Sequence, residues 1–166
     1  KKNNIKKMLD YGCGKGLYYK KPFNLEGVEI RSLSDFWGIK IDLFDPCYDQ
    51  YSNLREDINY DLTICIDVLE HIPSQDIDWV LYKIFKKTNK YVFFNVACYE
   101  AVALLPNGLN AHININTPEW WHEKLVELKK NFKKLKVICI CTLKKNNKIS
   151  YFPLQYDDKL INYTTK

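Results

Sequence analysis

Two groups of residues in this 166-residue chain combine types and spacing suited to chemistry. The first is Asp10, Gly12, Cys13, Gly14 and Gly16, within Met-Leu-Asp-Tyr-Gly-Cys-Gly-Lys-Gly from Met8 to Gly16. Glycines admit positive φ and carry no Cβ, so a strand that breaks into alternating glycines can wrap closely around a ligand. The acid before them can pair with it. The second group is Asp67, Glu70 and His71, joined by the distant His112. Two carboxylates and two imidazoles can hold a divalent cation. Without one, His112, His71 and Glu70 are candidates for proton transfer, or Glu70 and His71 cap a helix and His112 makes a structural hydrogen bond.

Spacing narrows the ligand of the glycine loop. The dinucleotide fingerprint Gly-x-Gly-x-x-Gly fails in both registers, with Leu17 or Tyr19 where the third glycine belongs. A P-loop is excluded because no Gly-Lys-Ser/Thr closes the turn. A tight turn with no ligand stands as the plain alternative.

The elements that must position these residues follow from periodicity. Ile5 to Leu9 predicts a short buried strand ending at Asp10, and Leu17 to Lys20 a short helix stopped before Pro22. Phe36 to Phe44 alternates like a second strand and ends at Asp45. An acid there commonly accepts from a ribose diol, which points to Asp45, with Asp42 as the alternative. The 29 positions from Gly16 to Asp45 exceed the usual spacing. Between Asp45 and Asp61 there is room only for a short third strand or none, leaving Asp57 as a candidate adenine contact.

Tyr60 to Leu69 predicts the next strand, with Asp67 at its carboxyl end, followed by a helix capped by Ser74 and running to Lys87. Tyr91 to Ala97 predicts another strand, and Cys98 to Thr117 a long loop. Thr117-Pro118 then starts a helix carrying Trp120 and Trp121, neighbours that cannot face the same way. One can sit in the core while the other covers the site, with core packing as the plainer alternative. Val137 to Leu143 and Ile149 to Leu154 predict a hairpin around Lys144 to Lys148. Alternating strands and helices closed by an antiparallel pair make an α/β domain with a mostly parallel sheet.

Composition bounds the rest. At 46% hydrophobic and 27% charged residues the chain is an ordinary globular domain rather than a disordered one. No apolar run is long enough to span a membrane and the lysine-rich start lacks the apolar stretch of a signal peptide, so a cytoplasmic protein is expected. The six cysteines include no Cys-x-x-Cys pair, which argues for reduced thiols over zinc or disulfides. The net charge of +5 comes from scattered lysines rather than a nucleic-acid stripe.

Asp10-x-Gly12-x-Gly14-x-Gly16 resembles motif I of class I S-adenosylmethionine-dependent methyltransferases. Asp67-Val68-Leu69-Glu70-His71-Ile72 resembles the segment after the fourth strand in that superfamily, as found in ubiquinone-biosynthesis O-methyltransferases. The resemblance covers nearly the whole chain. It implies a single Rossmann-like domain over residues 1–166 with a C-terminal antiparallel hairpin and a reduced front end, lacking the helix such enzymes carry before the first strand. It implies S-adenosyl-L-methionine as cofactor, held by Asp10, Gly12, Cys13, Gly14, Gly16 and Asp45 and bordered by Asp67. Asp67, Glu70, His71 and His112 are similar to the Glu-x-x-Glu-His plus distal His that binds magnesium (Mg2+) in small-RNA 2′-O-methyltransferases, with Asp67 standing where those enzymes have Glu. The expected activity is methyl transfer to an oxygen of a small or medium-sized molecule. An RNA 2′-O-methyltransferase-like enzyme and a non-catalytic cofactor-binding subunit are the alternatives. The absence of Asn/Asp-Pro-Pro-Tyr argues against amino methylation of DNA adenine.

Overall fold

The computed structural model describes residues 4–145 and 148–156. Strand β1 (Lys7–Tyr11) is central to a six-stranded sheet of order β4-β1-β5-β6-β7-β8. Its parallel neighbours are β4 (Lys40–Phe44) and β5 (Tyr60–Ile66), and β6 (Thr88–Ala97) and β7 (Lys136–Lys145) continue the parallel array. Strand β8 (Lys148–Tyr156) closes it antiparallel to β7. The α/β class, the mostly parallel sheet and the terminal hairpin all match expectation. The two residues between β7 and β8, at the tip of the expected Lys144 to Lys148 turn, lie outside the described residues. Pro153 sits within β8, which an edge strand tolerates because one side needs no ladder donor.

Strand β1 begins and ends two residues later than the hydrophobic run Ile5 to Leu9 suggests. The ladder outlasts the apolar residues because the Phe44 carbonyl accepts from the amides of both Gly12 and Cys13, at 2.7 and 3.1 Å. Asp10 therefore lies inside the strand.

The long spacing from Gly16 to Asp45 is filled by helix α1 (Leu17–Lys20), hairpin strands β2 (Phe23–Leu25) and β3 (Val28–Ile30), and helix α2 (Leu33–Trp37). Glu26 and Gly27, both at positive φ, make the tight hairpin turn. The expected strand over Phe36 to Phe44 is thus half wrong. Ser32 caps α2 by accepting from the Asp35 amide, and Gly38 ends it in the left-handed conformation, so only Lys40–Phe44 is extended. As expected, no third strand intervenes between Phe44 and Tyr60 among the described residues, only a 3-10 turn at Asp49–Tyr51.

A second 3-10 turn, Leu69–His71, precedes helix α3 (Ile77–Lys86). Ser74 does not cap α3. Asp76 holds the cap position without a side-chain bond, and the Ser74 hydroxyl donates to Asn114 Oδ1. Helix α4 (Pro118–Lys129) starts as expected, with Thr117 Oγ1 accepting from the Trp120 amide.

Alternate side chains along each strand face opposite sides of the sheet. Leu9, Cys65, Phe94 and Cys139 face α3 and α4 and form the main core with Leu81, Phe85 and Trp121. Of the paired tryptophans, Trp121 is fully buried and Trp120 packs partly buried against it at 4.9 Å between centroids. All six cysteines are free thiols, as expected. No helix among the described residues is long and apolar enough to cross a membrane. Trp121→Ala is expected to cost about 3–5 kcal/mol through lost burial and a residual cavity, read as a lower urea midpoint at unchanged slope.

Candidate functional site

The carboxyl ends of β1, β4 and β5 meet at one edge, the place where open α/β sheets bind ligands. The glycine loop leaves β1 there with Gly12, Gly14 and Gly16 all at positive φ. At two of them the chain itself explains the missing side chain. A Cβ on Gly12 would lie 2.3 Å from a Val68 methyl, and one on Gly16 2.8 Å from Leu43. Above Gly14 nothing lies within 4 Å. That glycine is the one open to a ligand.

Four of the five amides from Gly12 to Gly16 are spent internally. Those of Gly12 and Cys13 go to the Phe44 carbonyl, Gly14 to Asp45 Oδ2 at 2.7 Å, and Gly16 to the Cys13 carbonyl. An anion-binding nest needs such amides free. Two carboxylates, Asp10 and Asp45, flank the loop instead, beside the exposed Lys15. The Cys13 thiol donates to the Gly14 carbonyl, and burial pushes its pKa up to about 12, so it adds no charge.

Asp45 rather than Asp42 holds the position at the loop. Its carboxylate accepts from both Gly14 and Cys47 amides, whereas Asp42 lies within β4 and accepts from the Tyr60 hydroxyl. Asp57 precedes β5 at the opposite end of the sheet, paired with Arg55 at 2.7 Å, and is not placed to touch a ligand of the loop. A cleft of about 320 Å³ runs along the free edge of β4, lined by Ile41, Leu43, Tyr51 and Asn53 among others. Asp10 accepts from the Tyr19 hydroxyl at 2.8 Å. Burial, only partly offset by that bond and reinforced by the nearby Asp45, pushes its pKa up to about 6.

The second group assembles in part. Glu70, His71 and His112 bring one ligand atom each within 4.8 Å of one another. Asp67 stays outside that group. It is exposed, sits at positive φ and accepts from the Asn95 side-chain amide at 2.9 Å across the β5–β6 boundary. Glu70 is fully buried, and Oε1 accepts from the Ala97 amide while Oε2 has no partner among the described residues. Burial holds its carboxyl above the ordinary range.

Each imidazole is oriented by a main-chain carbonyl. His71 Nδ1 meets Ala111 O at 2.8 Å and His112 Nδ1 meets Tyr99 O at 2.6 Å. A carbonyl only accepts, so both Nδ1 atoms carry the proton and Nε2 is the free nitrogen. This is the outer bonding that metal-binding histidines generally have.

Two asparagines that periodicity gave no reason to single out hold this arrangement. Asn110 Oδ1 accepts from the amides of Ala101 and His112, and its Nδ2 donates back to the Ala101 carbonyl. The buried Asn114 ties its amide to the Glu70 carbonyl and its side chain to Leu69, Ser74 and Asn116. Their signal was weak because asparagine is common throughout this chain.

No protein-family model, curated protein or solved structure matches this chain.

The raised pKa of Asp10 makes ionisation costly in the folded state. The folded protein binds more proton than the unfolded chain between pH about 4 and 6, so this group lowers stability as pH rises through that window. Asp10→Asn is expected to stabilise the ligand-free protein by about 1–3 kcal/mol at pH 8, a gain that vanishes near pH 4 when thermal unfolding is followed at both.

Proposed function

We propose that this chain is an S-adenosylmethionine-dependent methyltransferase acting on an oxygen of a small or medium-sized acceptor. The observation that carries the reading is a glycine loop in which four of five amides are already satisfied and which is flanked by two carboxylates. Such a loop suits a cationic ligand with hydroxyl donors and no phosphate. S-Adenosylmethionine, when bound, supplies a methyl group on a positively charged sulfur, ready for in-line displacement.

Asp10, ionised above pH about 6, attracts the positive charge of the ligand, while Asp45 accepts from ribose hydroxyls and keeps Gly14 in place. The cleft past Tyr51 and Leu43 offers the nearest apolar surface for a purine. On the acceptor side, Nε2 of His112 or His71 takes the hydroxyl proton as oxygen becomes the nucleophile, with Nδ1 anchored by its carbonyl. Glu70 lies beside both rings, and its carboxylate form would favour the imidazolium that results.

The same three residues would hold a divalent cation through one ligand atom each, these atoms lying within 4.8 Å of one another, and one buried Glu70 oxygen has no partner among the described residues. Two imidazoles and one carboxylate favour a transition ion such as manganese or zinc over magnesium. That ion would acidify an acceptor hydroxyl. The wall carrying His112, residues 98–117, contains no lysine or arginine, which favours an uncharged acceptor over RNA.

Calorimetry should give micromolar binding of S-adenosylmethionine and S-adenosylhomocysteine at pH 7.5. Affinity for the cationic form should weaken as pH falls below about 6 with Asp10 protonation. A folded sample that binds neither compound overturns the reading. Separately, manganese or zinc titration should show one site whose affinity drops about 10–100-fold in Glu70→Gln or His112→Ala. Full turnover in chelator would leave the histidines as metal-free bases.

A further inference from the structure

The long loop after β6 turns its apolar side chains outward. Its outer part, residues 101–111, contains no charged residue. Val102 is 95% exposed, Leu104 66% and Leu109 59%, and Leu105 and Pro106 between them are exposed as well. One apolar group in water is ordinary, but an uncharged run of them marks an interaction surface. The loop also has a defined shape. Leu104 bridges Asn110 across a narrow hairpin, and the amides of Leu105, Gly108, Leu109 and Ala111 are all bonded within the loop. Amides satisfied in this way let the tip enter a medium that offers no hydrogen bonds.

The rim of this surface is basic. Cys98 leaves β6 with its amide on the Thr142 carbonyl of β7, and Lys144 Nζ lies 6.0 Å from the centre of the Tyr99 ring. The tip of the β7–β8 hairpin therefore flanks the base of the loop. It presents Lys144, Lys145 and Lys148, all exposed, followed by the exposed Ile149 and Tyr151. Both ends of the described chain lie elsewhere. Lys7 opens β1 beside Lys40, and Tyr156 pairs with Val137, so both are at the opposite, amino end of the parallel strands.

We propose that residues 101–111, with the lysines beside them, dock on an anionic lipid surface. An apolar tip at the acyl boundary binds such a surface through buried area, and lysines at headgroup level add attraction to anionic lipid. Tyrosines such as Tyr99 and Tyr151 suit the layer between, with an apolar ring and a polar hydroxyl. RNA matches the loop less well, because residues 100–117 contain no Phe, Tyr or Trp on which a base could stack and no lysine or arginine for phosphate. The docking is independent of what the glycine loop binds.

Co-sedimentation of the full chain with sucrose-loaded vesicles tests it, comparing about 30% phosphatidylserine in phosphatidylcholine with phosphatidylcholine alone. The wild type should pellet with the anionic vesicles and much less with the neutral ones. Leu104→Glu and Lys144→Glu, both at exposed positions, should each weaken the partitioning about fivefold or more with an unchanged far-ultraviolet circular dichroism spectrum. Lys40→Glu makes the same charge change as Lys144→Glu at the exposed start of β4, and should bind like the wild type. A wild type that stays in the supernatant, as a patch made for a protein partner would, overturns the proposal. So does pelleting that survives either the loop or the hairpin variant, or that falls equally with Lys40→Glu.

Discussion

The end of β4 governs the geometry of the glycine loop. There the Phe44 carbonyl takes two amides of the loop, and the next residue, Asp45, takes a third through its carboxylate. These bonds fasten residues 31 positions apart and turn a flexible run of alternating glycines into a fixed shape. They also decide its electrostatics, because amides committed to the protein's own oxygens leave the surrounding carboxylates as the groups a ligand meets. Val68 completes the fit by occupying the space a side chain at Gly12 would need, which couples the loop to the segment that carries Glu70 and His71.

That second segment depends on a similar division of labour. The 3-10 turn after β5 presents Glu70 inward and His71 outward, and the long loop after β6 provides both the second histidine and the carbonyl that orients the first. Asn110 and Asn114 carry no charge and do no chemistry of their own. By closing the backbone on itself they hold two imidazoles and a carboxylate together, with one Glu70 oxygen left without a partner among the described residues.

Much of this was legible from residue order. The alternation of Leu62, Ile64 and Ile66, the Thr117-Pro118 helix start and the terminal hairpin are local signals, and local rules read them correctly. The misreadings came where tertiary bonding overrode a pattern. The ladder to Phe44 extended β1 past its apolar residues, and the Ser32 cap with Gly38 cut a helix out of an alternating run. Ser74 had a partner forty residues away in Asn114 that no window could reveal. At the site, Glu70, His71 and His112 were nameable from their types, whereas the separation of Asp67 from them follows from one backbone angle and an Asn95 bond. Tyr19, which shares a proton bridge with Asp10, had looked like part of a short helix and nothing more.

The strand order carries a kinetic meaning as well. Because β1 lies between β4 and β5, the chain must travel out through the crossover and back before its first strand has either neighbour. The imidazole pair waits longer still, since the His71 contact to Ala111 joins residues 40 apart after β6 has already docked. Non-local pairings of this kind are slow to form, since most loop-closure entropy is spent before they give any return. Neither the glycine loop nor the histidine cluster is complete until these distant partners meet, so a chain in which both are formed has already assembled the centre of its sheet.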